Sequence, residues 1–208
     1  MKGLSLIILT SRIRVVVAKA LLSEWRDTDM ESTFSQNYFE LFALPVSFEV
    51  DSNTLSEHYR ELQRTSHPDK FANATDQERR LAVQTAAHIN EAFRVLNNPL
   101  ERGKYLLSLQ GINLDEETDT RMDPQFLMQQ MELRESLESV RDTQDPLAKL
   151  ASLLQEIENT MSDMIAELSV LFANANDEAY KQARDTIRKM QFMHKLRDEV
   201  EELEEDLI

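Results

Sequence analysis

The chain has 208 residues and a formal net charge of -15, so phosphate backbones and anionic lipid surfaces would repel it, which disfavours nucleic acid and membranes as partners. It contains no cysteine, which excludes disulfides, zinc–thiolate sites and iron–sulfur clusters held by its own thiolates, and favours a cytosolic setting. With three glycines and five prolines, the composition predicts long helices and an all-α fold.

Residues 1–33 form a predicted leader whose composition differs from that of the rest of the chain. Its first 29 residues contain five basic and three acidic side chains, within an otherwise acidic protein. The apolar run from Leu4 to Leu9 is interrupted by Arg12 and Arg14, well short of the roughly 20 residues that a membrane helix needs. We predict that the leader is disordered or results from an upstream start, with Met30 as the initiator. A basic, partly apolar leader also leaves a mitochondrial transit peptide open.

Four helices are predicted between residues 34 and 112, which we assign to one N-terminal domain. Pro45 stops the first, Asp51 can cap the second, and Thr75 with Glu78 forms a capping box at the start of the third. The predicted spans are 38–44, 52–66, 75–97 and 99–109.

A second helical domain is predicted over residues 123–208, after a polar, acidic linker at 113–122. The pairs Asp123-Pro124 and Asp145-Pro146, and then Asp177, each mark a helix start, which predicts helices over 124–140, 146–172 and 177–208. Three helices with short connections indicate a three-helix bundle. The last helix has a predicted buried seam at three- and four-residue spacing: Ala179, Ala183, Thr186, Met190, Met193, Leu196, Val200, Leu203 and Leu207.

The turn His67-Pro68-Asp69-Lys70 separates the second and third helices. By itself such a turn is a common way to end a helix, since proline bars helix continuation. Here a short aromatic-rich helix precedes the pair, and Arg60 and Arg64 lie one turn apart on the predicted solvent face of the second helix. In this arrangement residues 37–98 resemble the J-domain.

The J-domain resemblance implies an antiparallel hairpin that presents the turn to the ATPase of a DnaK-type chaperone. The Asp69 carboxylate is suited to bidentate pairing with an arginine of the partner, and Pro68 limits the flexibility of the turn. The resemblance assigns chaperone binding to these residues: His67, Pro68, Asp69, Lys70, Arg60 and Arg64.

The helix predicted over 124–140 has more apolar residues than one buried stripe requires. Phe126 and Leu133 share a stripe suited to core packing, whereas Leu127, Met128 and Met131 lie on another side, near glutamates. We expect an exposed apolar patch rimmed by carboxylates, as is usual for a protein-binding surface. The alternative is that both faces of this helix are buried.

The stretch from Phe126 to Glu135, together with Tyr105–Leu109 and Asp185–Phe192, is similar to the bacterial co-chaperone family HscB. In that family a C-terminal bundle binds the iron–sulfur scaffold IscU, and the J-domain delivers the scaffold to the chaperone HscA. A leucine is common where Met131 stands, and for Phe192 a core position and a binding contact are both open. The resemblance implies scaffold binding by Leu127, Met128, Met131, Glu132, Glu135 and Phe192.

The predicted function is therefore that of a bacterial cytoplasmic co-chaperone without cofactor, which activates a partner's ATPase and is not itself an enzyme. Its expected partners are an HscA-type chaperone and an IscU-type scaffold. Two alternatives remain: a J-domain protein that serves another client, and a helical adaptor without a chaperone partner. A metal site at His88 and Glu91 is a weaker possibility, because a helical surface histidine beside a glutamate is usually just solvated.

Overall fold

The structure is a computed structural model that describes residues 34, 36–71, 74–112, 114 and 123–207. In these ranges the regular elements are helices and no strand occurs, so the predicted all-α fold is confirmed. The predicted leader 1–33 lies outside the described residues, as does all of the predicted linker except Leu114. The α-helices described are α1 (Tyr38–Leu41), α2 (Ser52–Ser66), α3 (Asp76–Asn97), α4 (Pro99–Leu109), α5 (Pro124–Glu138), α6 (Pro146–Asn174) and α7 (Asp177–Leu207).

The N-terminal unit is built around the antiparallel pair α2 and α3, with α1 packed against α3. Tyr59 of α2 stacks on Phe93 of α3 with ring centroids 4.1 Å apart, and its hydroxyl donates to Asn90 Oδ1 at 2.9 Å. These contacts hold the two helices side by side. Their core contains the fully buried side chains of Phe39, Phe42, Leu55, Leu62, Ile89 and Leu96.

The ends of these helices follow from local capping. The Asp51 carboxylate accepts a hydrogen bond from the Asn53 N–H at 3.0 Å, and the predicted capping box at the start of α3 is formed. α1 is shorter than the predicted span 38–44. It ends at Leu41 because Ala43 adopts the left-handed conformation, with φ 50°, which a right-handed helix cannot contain.

The C-terminal unit contains the long pair α6 and α7, with α5 packed against both. α5 ends at Glu138, not at Val140 as predicted, and a 3₁₀ turn, Val140–Asp142, then buries Val140. The predicted seam of α7 is buried from Ala179 to Val200 and includes Ile187, which the spacing argument omitted. The seam is less buried at Leu203 and Leu207, which are half-buried.

The division between the two compact units falls between Asn98 and Pro99. Helix α4, which we expected in an N-terminal domain ending at residue 112, is therefore grouped with the C-terminal unit. The reason is that α4 packs against α7; Leu100 and Leu107 of α4 are buried. None of the helices in the described ranges is both long enough and apolar enough to cross a membrane.

Candidate functional site

The turn between α2 and α3 holds the predicted chaperone-binding motif in a defined shape. His67 ends α2 with an extended backbone, φ -60° and ψ 128°, as expected for a residue before proline. Residues Pro68–Phe71 form one 3₁₀ turn, in which the Lys70 N–H donates to the His67 carbonyl at 3.0 Å. The Asp69 N–H donates to His67 Nδ1 at 3.3 Å, so the imidazole nitrogen acts as an acceptor inside the turn.

This arrangement leaves the Asp69 carboxylate free to meet a partner. The Asp69 side chain is 90% exposed, and its Oδ2 lies 3.6 Å from His67 Nδ1. An exposed carboxylate contributes little to folding stability, so Asp69 is available for contact with another protein. His67 is also exposed, and its side chain supports the backbone that carries Asp69.

The basic residues predicted to steer this surface are exposed, but they are not equally available. Arg64 Nη2 lies 2.7 Å from Glu61 Oε1, whereas Arg60 Nε donates to the Ser56 carbonyl at 3.2 Å. α2 also contains Glu57, so its arginines and glutamates balance in charge. Arg64 would therefore have to exchange partners to contact a chaperone, while Arg60 and Lys70 have no ion pair with the described residues to break.

Leu127, Met128 and Met131 form an exposed apolar surface on α5, which we call the α5 patch. Their exposed fractions are 41%, 64% and 71%, whereas Phe126 and Leu133 on the other side of the helix are only 5% and 4% exposed. The expected exposure is confirmed, and the alternative that both faces of this helix are buried is wrong. Methionine side chains adapt to a partner's shape, which suits such a patch to protein binding.

Carboxylates flank the α5 patch as the sequence predicted. Glu132 and Glu135 are exposed, and at about 100° per residue each lies within about 40° of a patch methionine around the helix. Glu138 is exposed as well. The surface therefore combines apolar side chains with negative charge and fits a partner that presents apolar and basic groups together.

Phe192 is half-buried and contacts the side of α5 that faces the bundle. Its ring meets Phe126 edge to face with centroids 6.1 Å apart, and the Arg134 guanidinium lies 5.4 Å from its centroid. These contacts are with residues outside the α5 patch. The structure therefore brings Phe192 to α5 as a packing neighbour.

Known proteins are similar to this chain in sequence and in fold. A family model described as the HSCB C-terminal oligomerisation domain matches residues 122–201. The Co-chaperone protein HscB homolog of Shewanella pealeana is 48% identical over 172 residues, which cover 83% of this chain and 99% of that protein. This chain belongs to the HscB family of co-chaperones.

Solved structures of HscB proteins agree in fold with this chain. The structure titled Chaperone HscB from Vibrio cholerae matches with a TM-score of 0.73 and 45% identity, covering 83% of this chain and all of that one (100%). The human co-chaperone protein HscB matches with a TM-score of 0.72 and 29% identity over 80% of this chain and 81% of that one. The J-domain hairpin followed by a C-terminal helical bundle is thus confirmed.

The sequence pattern did not indicate two charged residues that link α5 and α7. Lys189 of α7 lies 3.1 Å from Asp123 at the start of α5, and Arg134 of α5 lies 3.4 Å from Glu199 of α7. These pairs join residues 65 or 66 positions apart. No local sequence pattern predicts such contacts, because they depend on how α5 and α7 pack against each other.

The weak metal alternative finds no support at His88 and Glu91. Glu91 accepts two hydrogen bonds from Arg94, at 2.9 and 2.7 Å, and the Arg94 guanidinium holds the pKa of Glu91 below its usual range. The His88 ring contacts Phe34 and Tyr38. Over the described ranges, no group of three or more histidine and acidic side chains is placed to hold a metal ion.

Proposed function

We propose that this chain binds an IscU-type iron–sulfur scaffold, brings it to an HscA-type chaperone and stimulates the chaperone's ATPase during iron–sulfur cluster maturation. The observation that carries the proposal is the exposure of two chemically different surfaces on one member of the HscB family. The turn around Asp69 presents a charged acceptor, and the α5 patch presents apolar side chains with a carboxylate rim.

Scaffold binding is proposed for the α5 patch because its exposure is costly without a partner. Burial of an exposed methionine side chain stabilises a complex by about 1.5–3 kcal/mol. Glu132 and Glu135 would add electrostatic selectivity for a basic surface and faster association, more than affinity. Phe192 would contribute from the neighbouring helix, where it packs on Phe126.

Chaperone activation is proposed for the turn between α2 and α3. The Asp69 carboxylate can pair with an arginine on the chaperone, and Arg60, Arg64, His67, Pro68 and Lys70 would complete the contact. ATP would be bound and hydrolysed by the chaperone, so this chain needs no catalytic group or cofactor of its own. We place the reaction in the cytoplasm, in keeping with a chain that has no cysteine.

The test is steady-state ATP hydrolysis by the HscA-type chaperone, with and without the scaffold, using the unmodified chain and Asp69→Asn. Asparagine keeps the shape of the side chain but removes its charge. We expect stimulation to fall at least about tenfold, since loss of one partner of a paired charge costs about 2–5 kcal/mol. Folding stability should change by less than about 0.5 kcal/mol at so exposed a site.

Asp163→Asn is the matched control, because Asp163 is exposed on α6 and the change removes the same charge. It should leave stimulation unchanged. Undiminished stimulation by Asp69→Asn would refute the role of the turn. No stimulation by the unmodified chain would favour an adaptor without a chaperone partner, and stimulation without scaffold binding would favour a different client.

A further inference from the structure

Helix α5 carries the α5 patch, yet it has few buried side chains to hold it on the bundle. Those that are buried are Phe126, Gln130 and Leu133. The gain from burying Gln130 is partly offset, because its Nε2 is buried without a hydrogen-bond partner among the described residues. The position of α5 must therefore depend on other contacts.

Lys189 of α7 makes two contacts with the first turn of α5. Its Nζ lies 3.1 Å from Asp123 Oδ2 and 5.4 Å from the centroid of the Phe126 ring. Asp123 is the N-cap of α5, and its side chain accepts a hydrogen bond from the Gln125 N–H at 3.0 Å. Lys189 thus holds both the cap and the first buried ring of the helix.

Arg134 of α5 makes the reciprocal pair of contacts with α7. Its guanidinium lies 5.4 Å from the Phe192 ring centroid, and its Nη2 lies 3.4 Å from Glu199 Oε1. The two rings, Phe126 and Phe192, meet edge to face between the two cations. A cation of each helix therefore lies on an aromatic ring of the other helix and pairs with one of its carboxylates.

We propose that this set of contacts, the α5–α7 clamp, positions α5 so that the α5 patch is presented in one orientation for scaffold binding. Lys189 and Arg134 are positioning residues in this mechanism. Phe192 contributes through the clamp by packing on Phe126. The inference rests on the proposed scaffold binding and adds the residues that control its strength.

The size of the effect follows from population arithmetic. When the clamp is broken, α5 spends part of its time displaced, and the apparent affinity falls in proportion to the fraction that remains in place. Cation–π pairs and half-exposed ion pairs each contribute modestly. We expect loss of the Lys189 ammonium to weaken scaffold binding about three- to tenfold, which means that α5 is in place for only about a third to a tenth of the time in that variant.

Four variants of the full chain separate the clamp from other roles of these residues. Lys189→Met keeps the apolar stem and removes the charge, and Lys189→Arg restores a cation. Asp123→Asn keeps an N-cap of equal quality but removes the carboxylate. Lys195→Met makes the same change at an exposed position of α7 and is the matched control.

The experiment combines calorimetric titration with an IscU-type scaffold and hydrogen exchange of the unbound chain. For Lys189→Met and Asp123→Asn we expect weaker binding together with faster exchange of amides in α5, while α6 keeps its protection. Lys189→Arg should behave like the unmodified chain, and so should Lys195→Met.

Three results would overturn the inference. The first is that Lys189→Met leaves both scaffold affinity and hydrogen exchange in α5 unchanged. The second is that it weakens affinity without changing exchange in α5. The third is that it raises exchange equally in α5 and α6. The second would mean that Lys189 contacts the scaffold directly, and the third that it stabilises the bundle in general. If the unmodified chain binds no scaffold, the proposed function fails, and exchange in the unbound chain still tests the clamp.

Discussion

Met131→Ala should weaken scaffold binding while leaving the fold intact. Burial of a fully exposed methionine side chain contributes about 1.5–3 kcal/mol, and Met131 is 71% exposed before any partner binds. Alanine keeps only the first carbon of the side chain, so about 1–2 kcal/mol of binding free energy is lost. This corresponds to an affinity about 5- to 30-fold weaker, measured by titration with an IscU-type scaffold. The free energy of unfolding should change by less than about 0.5 kcal/mol.

Leu133→Ala, two residues further along α5, should show the opposite pattern. Leu133 is 4% exposed and faces the bundle, so its truncation leaves a cavity and lowers stability by about 2–5 kcal/mol. Thermal and denaturant unfolding of both variants provides the comparison. The assignment of the two faces would be refuted if Met131→Ala destabilised the chain as much as Leu133→Ala, or if it left scaffold affinity unchanged.

Two further predictions concern stability. Ala175 ends α6 in the left-handed conformation, with φ 46°. Because glycine adopts this conformation without steric cost, Ala175→Gly should raise the free energy of unfolding by about 0.5–1 kcal/mol. Ala173→Gly, within the last turn of α6, should lower it by a similar amount. Denaturant unfolding would contradict this if both changes had the same sign. The Thr75 hydrogen bonds lower the pKa of Glu78 below its ordinary value of 4.5. Ionised Glu78 therefore stabilises α3 when the pH is above 4.5, and this stabilisation is lost as the pH falls through the lowered pKa. The stability difference between the unmodified chain and Glu78→Gln should accordingly shrink below pH 4.5; a constant difference would argue against the capping box.

The helix limits that were predicted well are those that short-range chemistry controls. α2 spans Ser52–Ser66 as predicted, because the Asp51 cap and Pro68 act on neighbouring residues. α1 was predicted too long because the positive φ of Ala43 has no signal in the residue type. The grouping of α4 with the C-terminal unit had no local signal, because its partner, α7, lies far along the chain.

In the candidate site, too, features set by neighbouring residues were predictable from the sequence, and contacts between distant residues were not. Local periodicity predicted that Leu127, Met128 and Met131 lie away from the core stripe, and the structure exposes them. It left a core position and a binding contact open for Phe192; the structure adds that the half-buried ring packs on Phe126, and its binding role stays a prediction. Helical spacing alone could not distinguish the two roles, because a ring that packs in the bundle and a ring that contacts a partner can occupy the same position around the helix.

By itself, the sequence of this protein determined its helices, their caps, the turn that carries Asp69 and the surplus apolar face of α5, since each depends on residues within a few turns of one another. Only the tertiary structure decided that α4 joins the C-terminal unit and that Lys189 and Arg134 hold α5 against α7. Those contacts join side chains that are distant in sequence, and their formation depends on how whole helices pack.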